Sequence, residues 1–344
     1  MNQMKHRKTS LIGSLAFFLL TVSTTAFAQG PAFSSLDAEL SGLNSAIHKK
    51  GAKWAAAETS LSRLSPDELK TRVGTSGMKI SAKPVPEEMG IYSKLPSSLD
   101  WRSNNGDFVS TVKDQQKCGA CWAFAMTAGL ESNVLLTGGA SGGNVDLSEQ
   151  VLLSCGGVGS CNGGTLDADF LAATGLPPES YYPYTATNGD CSTAAPNWQK
   201  ATYKIGDWGS VSQKLSSIKS ALAKYGPLPT AFMVYEDFKH YKSGVYSYVS
   251  GKKLGGHAVL LVGYNDDEQY FIVKNSWGTG WGEGGFFRIA YSEIQGESAF
   301  GTKTIAYQAA DPGNYYSNLA RSGMKEPSGK KISQKIGPLL EQRP

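Results

Sequence analysis

The chain has 344 residues, of which 40% are hydrophobic and 18% charged, so it can bury a large core in one or two domains. Its formal net charge of +4 is too small to indicate a nucleic-acid-binding protein, and no basic run is interleaved with aromatic residues. The motifs along the chain are therefore the source of information about function.

The first 28 residues have the pattern of a secretory signal peptide. Basic residues at positions 5–8 precede an apolar run from Leu11 to Leu20, and Ala26-Phe27-Ala28 is an A-x-A cleavage site. An uncleaved membrane anchor is the alternative, but the polar residues at 23–25 leave the apolar run short for a membrane span. We expect residues 1–28 to be removed.

Residues 29–94, here called the N-terminal segment, contain no cysteine and show two helical patterns. The first predicts an amphipathic helix, because its leucine and isoleucine residues recur at spacings of three and four: Leu36, Leu40, Leu43 and Ile47. Ser65-Pro66-Asp67-Glu68 predicts a second helix that ends before Gly74, since it combines an N-cap serine, a first-turn proline and a capping-box glutamate. A flexible linker is the alternative.

An alanine-rich stretch follows the motif Lys117-Cys118-Gly119-Ala120-Cys121. Alanine and unbranched residues favour helix, so we predict a helix from about Ala120 to about Leu136. Cys121 then lies in the first turn, where unpaired N–H groups and the positive end of the helix dipole favour a thiolate over a thiol. Such a thiolate is a nucleophile for covalent catalysis and needs a base or cationic partner.

The rest of the chain divides into a helical half and a β-rich half. A capping residue precedes an apolar run at 146–153, and residues 165–174 form a short helical pattern closed by a glycine. A later helix places Leu215, Ile218 and Leu222 on one face, and strands are predicted at residues 258–264, 270–274 and 285–290. This order predicts an α+β fold. The polar residues 311–344 should form a flexible or removed tail, and docking of a partner is the alternative.

The motif at Cys121 matches C-G-[SA]-C-[WY], a signature of papain-like cysteine proteases. Gly256-His257-Ala258 and Lys274-Asn275-Ser276-Trp277 supply a histidine and an asparagine at about the separations of that family. From about Leu95 to about Tyr307 the chain therefore resembles the papain-like proteases. The N-terminal segment, through Trp54-Ala55-Ala56 and residues 69–74, looks most like the short cathepsin B propeptide.

The resemblance implies the organisation of the molecule. It predicts a helical lobe and a β-barrel-like lobe with the active-site cleft between them. It also divides the chain into a signal peptide at 1–28, an inhibitory propeptide at 29–94, a peptidase domain at 95–310 and the tail at 311–344. Trimming is expected near Lys94.

The chain has five cysteines, and an odd number in an exported chain indicates disulfide pairs plus one reactive thiol. The family pattern implies bonds between Cys118 and Cys161 and between Cys155 and Cys191, which leaves Cys121 free. In the chain-entropy model each bond stabilises the fold by a few kcal/mol. A redox pair at Cys118 and Cys121 would need a surrounding βαβ pattern, and a zinc site would need a second close ligand pair. Neither is found in the sequence, so we expect no metal and no cofactor.

The resemblance also assigns catalytic roles. Cys121 attacks the peptide carbonyl, while His257 stabilises the thiolate as imidazolium and then gives its proton to the leaving amine. Asn275 orients the His257 ring, and Trp277 shields their hydrogen bond from water. Gln115, six residues before Cys121, supplies an N–H to the oxyanion hole together with the Cys121 backbone N–H.

For two of these roles, base and oxyanion donor, the sequence offers a second residue of the same type. His240 and His257 are the histidines that remain after residue 94, and we expect His240 in an exposed helical turn and His257 at the start of a strand. Gln116 and Lys117 stand where the family usually has glycine and a small residue. Gln116 is therefore an alternative to Gln115 as the oxyanion donor.

Substrate-binding positions follow from the same resemblance. Gly163 and Gly164 should pair their backbone with an extended substrate, because the missing side chains permit a close approach. The second subsite should be apolar and roomy, with these positions around it: Leu166, Ala231, Ala258, Gly255 in place of a larger residue, and Ile305 at the far end. Without a carboxylate this pocket should prefer Phe or Leu over Arg. Trp277 completes the substrate-binding set.

These motifs predict a papain-like endopeptidase made as a zymogen. Dipeptide removal of the cathepsin B type is not expected, because residues 161–191 contain no histidine and leave no room for the loop that would carry one. A peptide ligase and a catalytically silent binding protein are the alternatives, although the intact catalytic positions favour an enzyme. We expect a monomer that binds polypeptide substrates and holds its own propeptide in the cleft. No nucleic acid and, after signal cleavage, no membrane is expected as a partner.

The expected location is outside the cytoplasm. No Asn-x-Ser/Thr sequon occurs in the chain, whereas lysosomal proteases of this family usually depend on glycans for sorting. Together with the A-x-A leader, this favours a secreted or periplasmic bacterial enzyme over a lysosome-like location.

Overall fold

The computed structural model describes Met1 and residues 31–74, 83–85, 95–138, 142 and 145–309. The predicted signal peptide, the trimming site near residue 94 and the polar tail lie outside these ranges. Within them, the chain has the α+β fold expected from the sequence, with a helical part and a seven-stranded main sheet.

Six α-helices are present in the described ranges: α1 (Pro31–Lys50), α2 (Pro66–Lys70), α3 (Cys121–Gly138), α4 (Glu149–Cys155), α5 (Asp169–Ala173) and α6 (Leu215–Tyr225). The strands there are β1 (Lys53–Ala56), β2 (Ser98–Asp100), β3 (Gly159–Ser160), β4 (Gly163–Gly164), β5 (Asp207–Ser210), β6 (Leu228–Tyr235), β7 (Tyr241–Tyr246), β8 (Lys253–Asn265), β9 (Tyr270–Lys274), β10 (Phe286–Ala290) and β11 (Ile305–Gln308). No helix of these ranges combines the length and apolarity that crossing a membrane requires.

The main sheet has seven strands. Six of them follow the order β1-β7-β10-β9-β8-β2, and the seventh, β6, pairs with β8 outside this linear order. The long strand β8 is buried from His257 to Tyr264, which explains its continuous apolar sequence. Helix α3 has 15 buried residues among its 18, as a helix enclosed on all sides should. It packs against β6 and β8, so it brings Cys121 to the boundary between the helical part and the sheet.

The N-terminal segment joins the main sheet through β1. This strand pairs antiparallel with β7, and Trp54 lies opposite Gly244. Gly244 has a φ of +95°, and a Cβ there would lie 2.4 Å from the Lys53 carbonyl oxygen, so a side chain would prevent the pairing. The Trp54 ring packs 5.2 Å from that of Tyr246, and its Nε1 donates to the Ser247 carbonyl at 3.0 Å.

The predicted helix signals of the N-terminal segment are confirmed. Leu36, Leu43 and Ile47 are buried along α1. At α2 both capping-box bonds are present, with the Ser65 hydroxyl accepting from the Glu68 N–H and the Glu68 carboxylate accepting from the Ser65 N–H. The segment is therefore folded rather than a flexible linker over the part that the structure describes.

Four local predictions need correction. The helix expected at 165–174 is limited to α5, and Leu215 is exposed at the start of α6 instead of sharing its buried face. His257 lies within β8, four residues after the strand begins, and not at its start. His240 is fully buried, because α1 and the turn before α2 cover it.

Candidate active site

Cys121 is the first residue of α3 and the free cysteine of the described chain. Its side chain is fully buried, and its Sγ accepts a hydrogen bond of 3.4 Å from the Ala258 N–H on β8. The sulfur thus lies where the helical part meets the sheet. A position at a helix N-terminus supplies N–H groups that stabilise negative charge on sulfur.

Both disulfides implied by the family resemblance are present, between Cys118 and Cys161 and between Cys155 and Cys191. The Gly119 N–H also donates to the Cys161 carbonyl at 2.8 Å. The turn before Cys121 is therefore fixed to the segment that leads into β4. In this way the nucleophile and the predicted substrate-pairing glycines are held at one edge of the helical part.

His257 is oriented by Asn275. Because the Asn275 Oδ1 also accepts from the Ser276 N–H, it acts as an acceptor, and the His257 Nε2–H donates to it at 2.7 Å. The Trp277 ring stacks on the imidazole at a centroid distance of 4.7 Å. The His257 Nδ1 has no hydrogen-bond partner among the described residues. This leaves Nδ1 as the ring nitrogen that can exchange a proton.

Gln115, the predicted oxyanion donor, is buried beside Cys118, whereas its alternative Gln116 is exposed. The buried Gln115 side chain is held by the Ser276 hydroxyl, which donates to Oε1 at 2.7 Å. Its Nε2 donates to the Cys118 carbonyl at 2.8 Å and to the Arg72 carbonyl at 3.1 Å. Gln116 is exposed, with a φ of +53°, in the left-handed region where the family usually has glycine. The geometry therefore favours Gln115.

Residues 72–74 of the N-terminal segment lie across these groups. The Gly74 N–H donates to the Gly256 carbonyl at 3.1 Å, and the Gly74 carbonyl accepts from the Gly164 N–H at 2.9 Å. A Cβ on Gly74 would lie 1.9 Å from the Gly119 carbonyl oxygen, so no other residue fits without movement. The segment thus binds to the site through its backbone, as an added strand would.

The predicted pairing glycines are positioned by Trp122. A Cβ on Gly164 would lie 2.6 Å from the Trp122 ring, so the indole occupies the space of the missing side chain. The neighbouring Gly163 has a φ of +117°, which glycine adopts most readily. With these constraints, the Gly164 N–H donates to the Gly74 carbonyl of the N-terminal segment.

The residues predicted for the second subsite come together. Four of them belong to one apolar cluster that includes Cys121: Leu166, Ala231, Ala258 and Ile305. Ala231 and Ala258 face each other across the pairing of β6 with β8. At Gly255 a Cβ would lie 2.9 Å from a methyl group of Val73, so the missing side chain makes room for Val73. Trp277 lies outside this cluster and stacks on His257. The roles of all these residues in substrate binding stay predictions.

Burial sets the protonation of the covered site. It raises the pKa of the Cys121 thiol to about 11, although backbone N–H groups including that of Ala258 act in the opposite direction. It lowers the pKa of His257 to about 4, against the stabilising bond to Asn275. With the N-terminal segment in place, desolvation therefore outweighs these hydrogen bonds and favours a neutral thiol and a neutral imidazole.

A buried charge network beneath the site was not predicted from the sequence. The Lys113 Nζ donates to Glu131 at 3.0 Å, and Ser110 bridges Glu131 to the Lys274 Nζ, which donates to the Ser110 Oγ at 2.9 Å. Burial lowers the pKa of Lys274 to about 8. Lys274 is the last residue of β9 and Asn275 follows it directly. The network therefore anchors the end of β9 next to Asn275. No group of three potential metal ligands is found within the described ranges.

Comparisons with known proteins place these features in a family. The model of the papain family cysteine proteases matches residues 95–308. Cathepsin B-like CP3 of Giardia intestinalis is 37% identical over 276 residues, covering 75% of this chain and 90% of the relative. The structure of procathepsin B S9 from Trypanosoma congolense is 25% identical, with a TM-score of 0.69 over 78% of this chain and 97% of that one. The recombinant stem bromelain precursor is 30% identical, with a TM-score of 0.68 over 81% and 90% of the two chains.

Proposed function

The chain belongs to the papain family of cysteine proteases, and from that premise we propose that it is an exported endopeptidase, made as a zymogen, that cleaves peptide bonds through Cys121 and His257. The observation that carries this proposal is a stretch of peptide, residues 72–74, lying across Cys121 with its backbone bonded to Gln115, Gly164 and Gly256. A cleft that binds its own chain through backbone groups suits an extended polypeptide substrate.

The reaction begins when the trimmed enzyme, which lacks residues 1–94, exposes Cys121 and His257 to water. Hydration reduces the desolvation that favours the neutral pair, so the thiol proton moves to the His257 Nδ1. The thiolate attacks the carbonyl carbon, while the Gln115 Nε2–H and the Cys121 N–H stabilise the negative oxygen. The imidazolium then gives its proton to the leaving amine, and water hydrolyses the thioester with His257 as the base.

The N-terminal segment inhibits because its chain direction is reversed. A substrate must place its carbonyl at Gln115 and the residues before the scissile bond toward Gly164. The segment instead has Arg72 at Gln115 and the later residue Gly74 at Gly164. It covers the nucleophile without presenting a peptide bond in the productive direction.

Inhibition by the N-terminal segment is expected to weaken as the pH falls. Both His240 ring nitrogens bond to this segment, with Nε2 donating to Glu39 and Nδ1 accepting from the Ser62 hydroxyl, each at 2.9 Å. Burial lowers the pKa of His240 in the bound state, against the effect of Glu39 and with that of Lys239. Dissociation of the N-terminal segment is therefore coupled to proton uptake by His240 at pH values below the ordinary histidine pKa of about 6.5. The pKa of Glu39 is lowered despite its desolvation, so its contribution is lost at still lower pH.

The measurement is the inhibition constant of residues 29–94 against the trimmed enzyme. We expect it to rise severalfold from about pH 7 to about pH 5. His240→Gln should flatten this rise, whereas His48→Gln, at an exposed position of α1, should preserve it. A pH dependence equal in both variants would contradict the assignment.

The second subsite is expected to select apolar side chains. Its predicted walls carry no charge, so burial of a Phe side chain contributes roughly 1.5–3 kcal/mol, while an Arg there loses hydration without a carboxylate partner. End-blocked peptides that differ only by Phe-Arg or Arg-Arg before the scissile bond should differ in kcat/KM by at least about tenfold. Equal or faster cleavage of the Arg-Arg peptide would mean that the pocket holds an unassigned acid.

The same peptides separate the candidate functions. Cleavage of end-blocked substrates distinguishes an endopeptidase from an enzyme that requires a free C-terminus. Adding an amine nucleophile and analysing the products separates hydrolysis from ligation. Export is proposed from the leader and the two disulfides, which form in oxidising environments. Recovery of the mature protein from a reducing cytoplasm by cell fractionation would contradict it.

A further inference from the structure

Asp114 lies beside the active site on the side of His257. It precedes Gln115 and forms an antiparallel bridge with Trp277, the residue that stacks on the His257 ring. The Gly278 N–H donates to the Lys113 carbonyl at 3.1 Å, which extends this pairing. The Asp114 carboxylate thus lies next to the segment that begins at Trp277.

This side of the cleft holds the leaving group. His257 must reach the departing amine to protonate it, so the part of a substrate after the scissile bond lies toward Trp277. The part before that bond lies at the opposite end, where Gly164 and Gly256 bind the backbone of Gly74. Asp114 therefore faces residues on the leaving-group side.

The N-terminal segment already places a guanidinium on this carboxylate. The Arg72 Nη1 donates to the Asp114 Oδ1 at 2.9 Å, and the carbonyl of the same Arg72 accepts from the Gln115 Nε2. Arg72 is the ion-pair partner of Asp114 within the described ranges. When the segment leaves, the carboxylate remains beside the oxyanion donor without this cation.

The carboxylate is held in position before any substrate arrives. Its Oδ1 accepts from the Gln116 N–H at 2.8 Å, a local bond that does not involve the N-terminal segment. The Asp114 side chain is 43% exposed and that of Arg72 12% exposed in the pair. The site is therefore open to solvent on one face, and its effect on binding should be moderate and sensitive to salt.

We propose that Asp114 forms a subsite for arginine or lysine on the leaving-group side of the scissile bond. This inference rests on the proposed peptidase function and adds a specificity that the apolar second subsite does not provide. In the precursor, the Arg72 side chain occupies that subsite. The N-terminal segment runs in reverse, so Arg72 does not have the register of a substrate residue. We assign the preferred substrate position to one of the first three residues after the scissile bond, because these lie on the side of Asp114.

The test compares arginine with citrulline, which has a similar shape but no charge. End-blocked quenched peptides with Phe-Arg before the scissile bond carry one or the other at each of the first three following positions. In the trimmed wild-type enzyme, arginine should raise kcat/KM by about three- to tenfold at one position, and added salt should reduce this advantage. In Asp114→Asn the ratio of kcat/KM for the arginine peptide to that for the citrulline peptide should fall to about one. Asn retains an oxygen that can accept from Gln116.

Asp267→Asn is the matched control, because it removes the same charge from an exposed turn residue between β8 and β9. It should keep the wild-type ratio. No arginine advantage at any position in the wild type, or an undiminished advantage in Asp114→Asn, overturns the proposal. An enzyme that cleaves none of the peptides contradicts the peptidase function itself, so the two failures are distinguishable.

Discussion

Replacing Cys121 by alanine should lower kcat/KM for peptide hydrolysis by about four orders of magnitude or more, because it removes the nucleophile. Cys121 is the free thiol of the described chain, whereas the other four cysteines are bonded in pairs. The change deletes one buried sulfur atom and leaves Gln115, His257 and the cleft in place. Hydrolysis of an end-blocked quenched peptide measures the effect.

The same variant should accumulate as an untrimmed precursor. The wild-type enzyme added in small amount should then cut it near Lys94, which shows that the variant is folded and that the trimming site is accessible. A Cys121→Ala protein that still hydrolyses the peptide would contradict the assignment of the nucleophile. So would a precursor that trims itself at the wild-type rate.

Replacing Gln115 by alanine should lower kcat by about 10²–10³-fold with little change in KM, since its N–H stabilises charge that develops in the transition state. The Ser276 hydroxyl fixes the Gln115 amide, so the donor is oriented before substrate binds. Steady-state kinetics on the trimmed enzyme separate the two constants.

Gln116→Ala is the control for the neighbouring glutamine. Gln116 is exposed and its backbone, not its side chain, bonds to Asp114, so this change should leave kcat within about twofold. A large loss of kcat in Gln116→Ala with full activity in Gln115→Ala would exchange the two roles. A change confined to KM in Gln115→Ala would show that the residue binds substrate without stabilising the transition state.

Local signals in the sequence were sufficient for much of the site. The alanine-rich run after Cys121 predicted α3, and Ser65 to Glu68 predicted the capped α2, because helix starts depend on residues within one turn. The family motif then gave the disulfide pairs that the structure contains. It also identified His257 and Asn275, which the structure brings into hydrogen-bond contact.

Features that depend on distant contacts were missed. His240 was expected to be exposed, but Glu39, 201 residues earlier in the chain, bonds to its ring. The four residues of β1 gave no strand signal, since their pairing with β7 is decided by the tertiary fold. Burial raises the pKa of Cys121 and lowers that of His257. It depends on tertiary contacts, which no local pattern records.

Asp114 shows the same limit in a functional residue. Its position before Gln115 gave no reason to assign it a role, because its partner Arg72 is 42 residues away. Three residues that hydrogen-bond to residues 72–74 were predicted site residues or lie next to one: Gln115 as the oxyanion donor, Gly164 as a pairing glycine and Gly256 beside His257. The sequence therefore located the cleft, and the structure added what occupies it.

Labelling by a thiol-directed epoxide, followed by intact-mass analysis and peptide mapping, tests most directly whether Cys121 is the nucleophile. We expect a single adduct on Cys121 in the trimmed enzyme. In the untrimmed precursor, where Gly74 lies over the buried sulfur, labelling should be far slower. An adduct on any other residue, no adduct on the trimmed enzyme, or equal labelling rates for the two forms would contradict it.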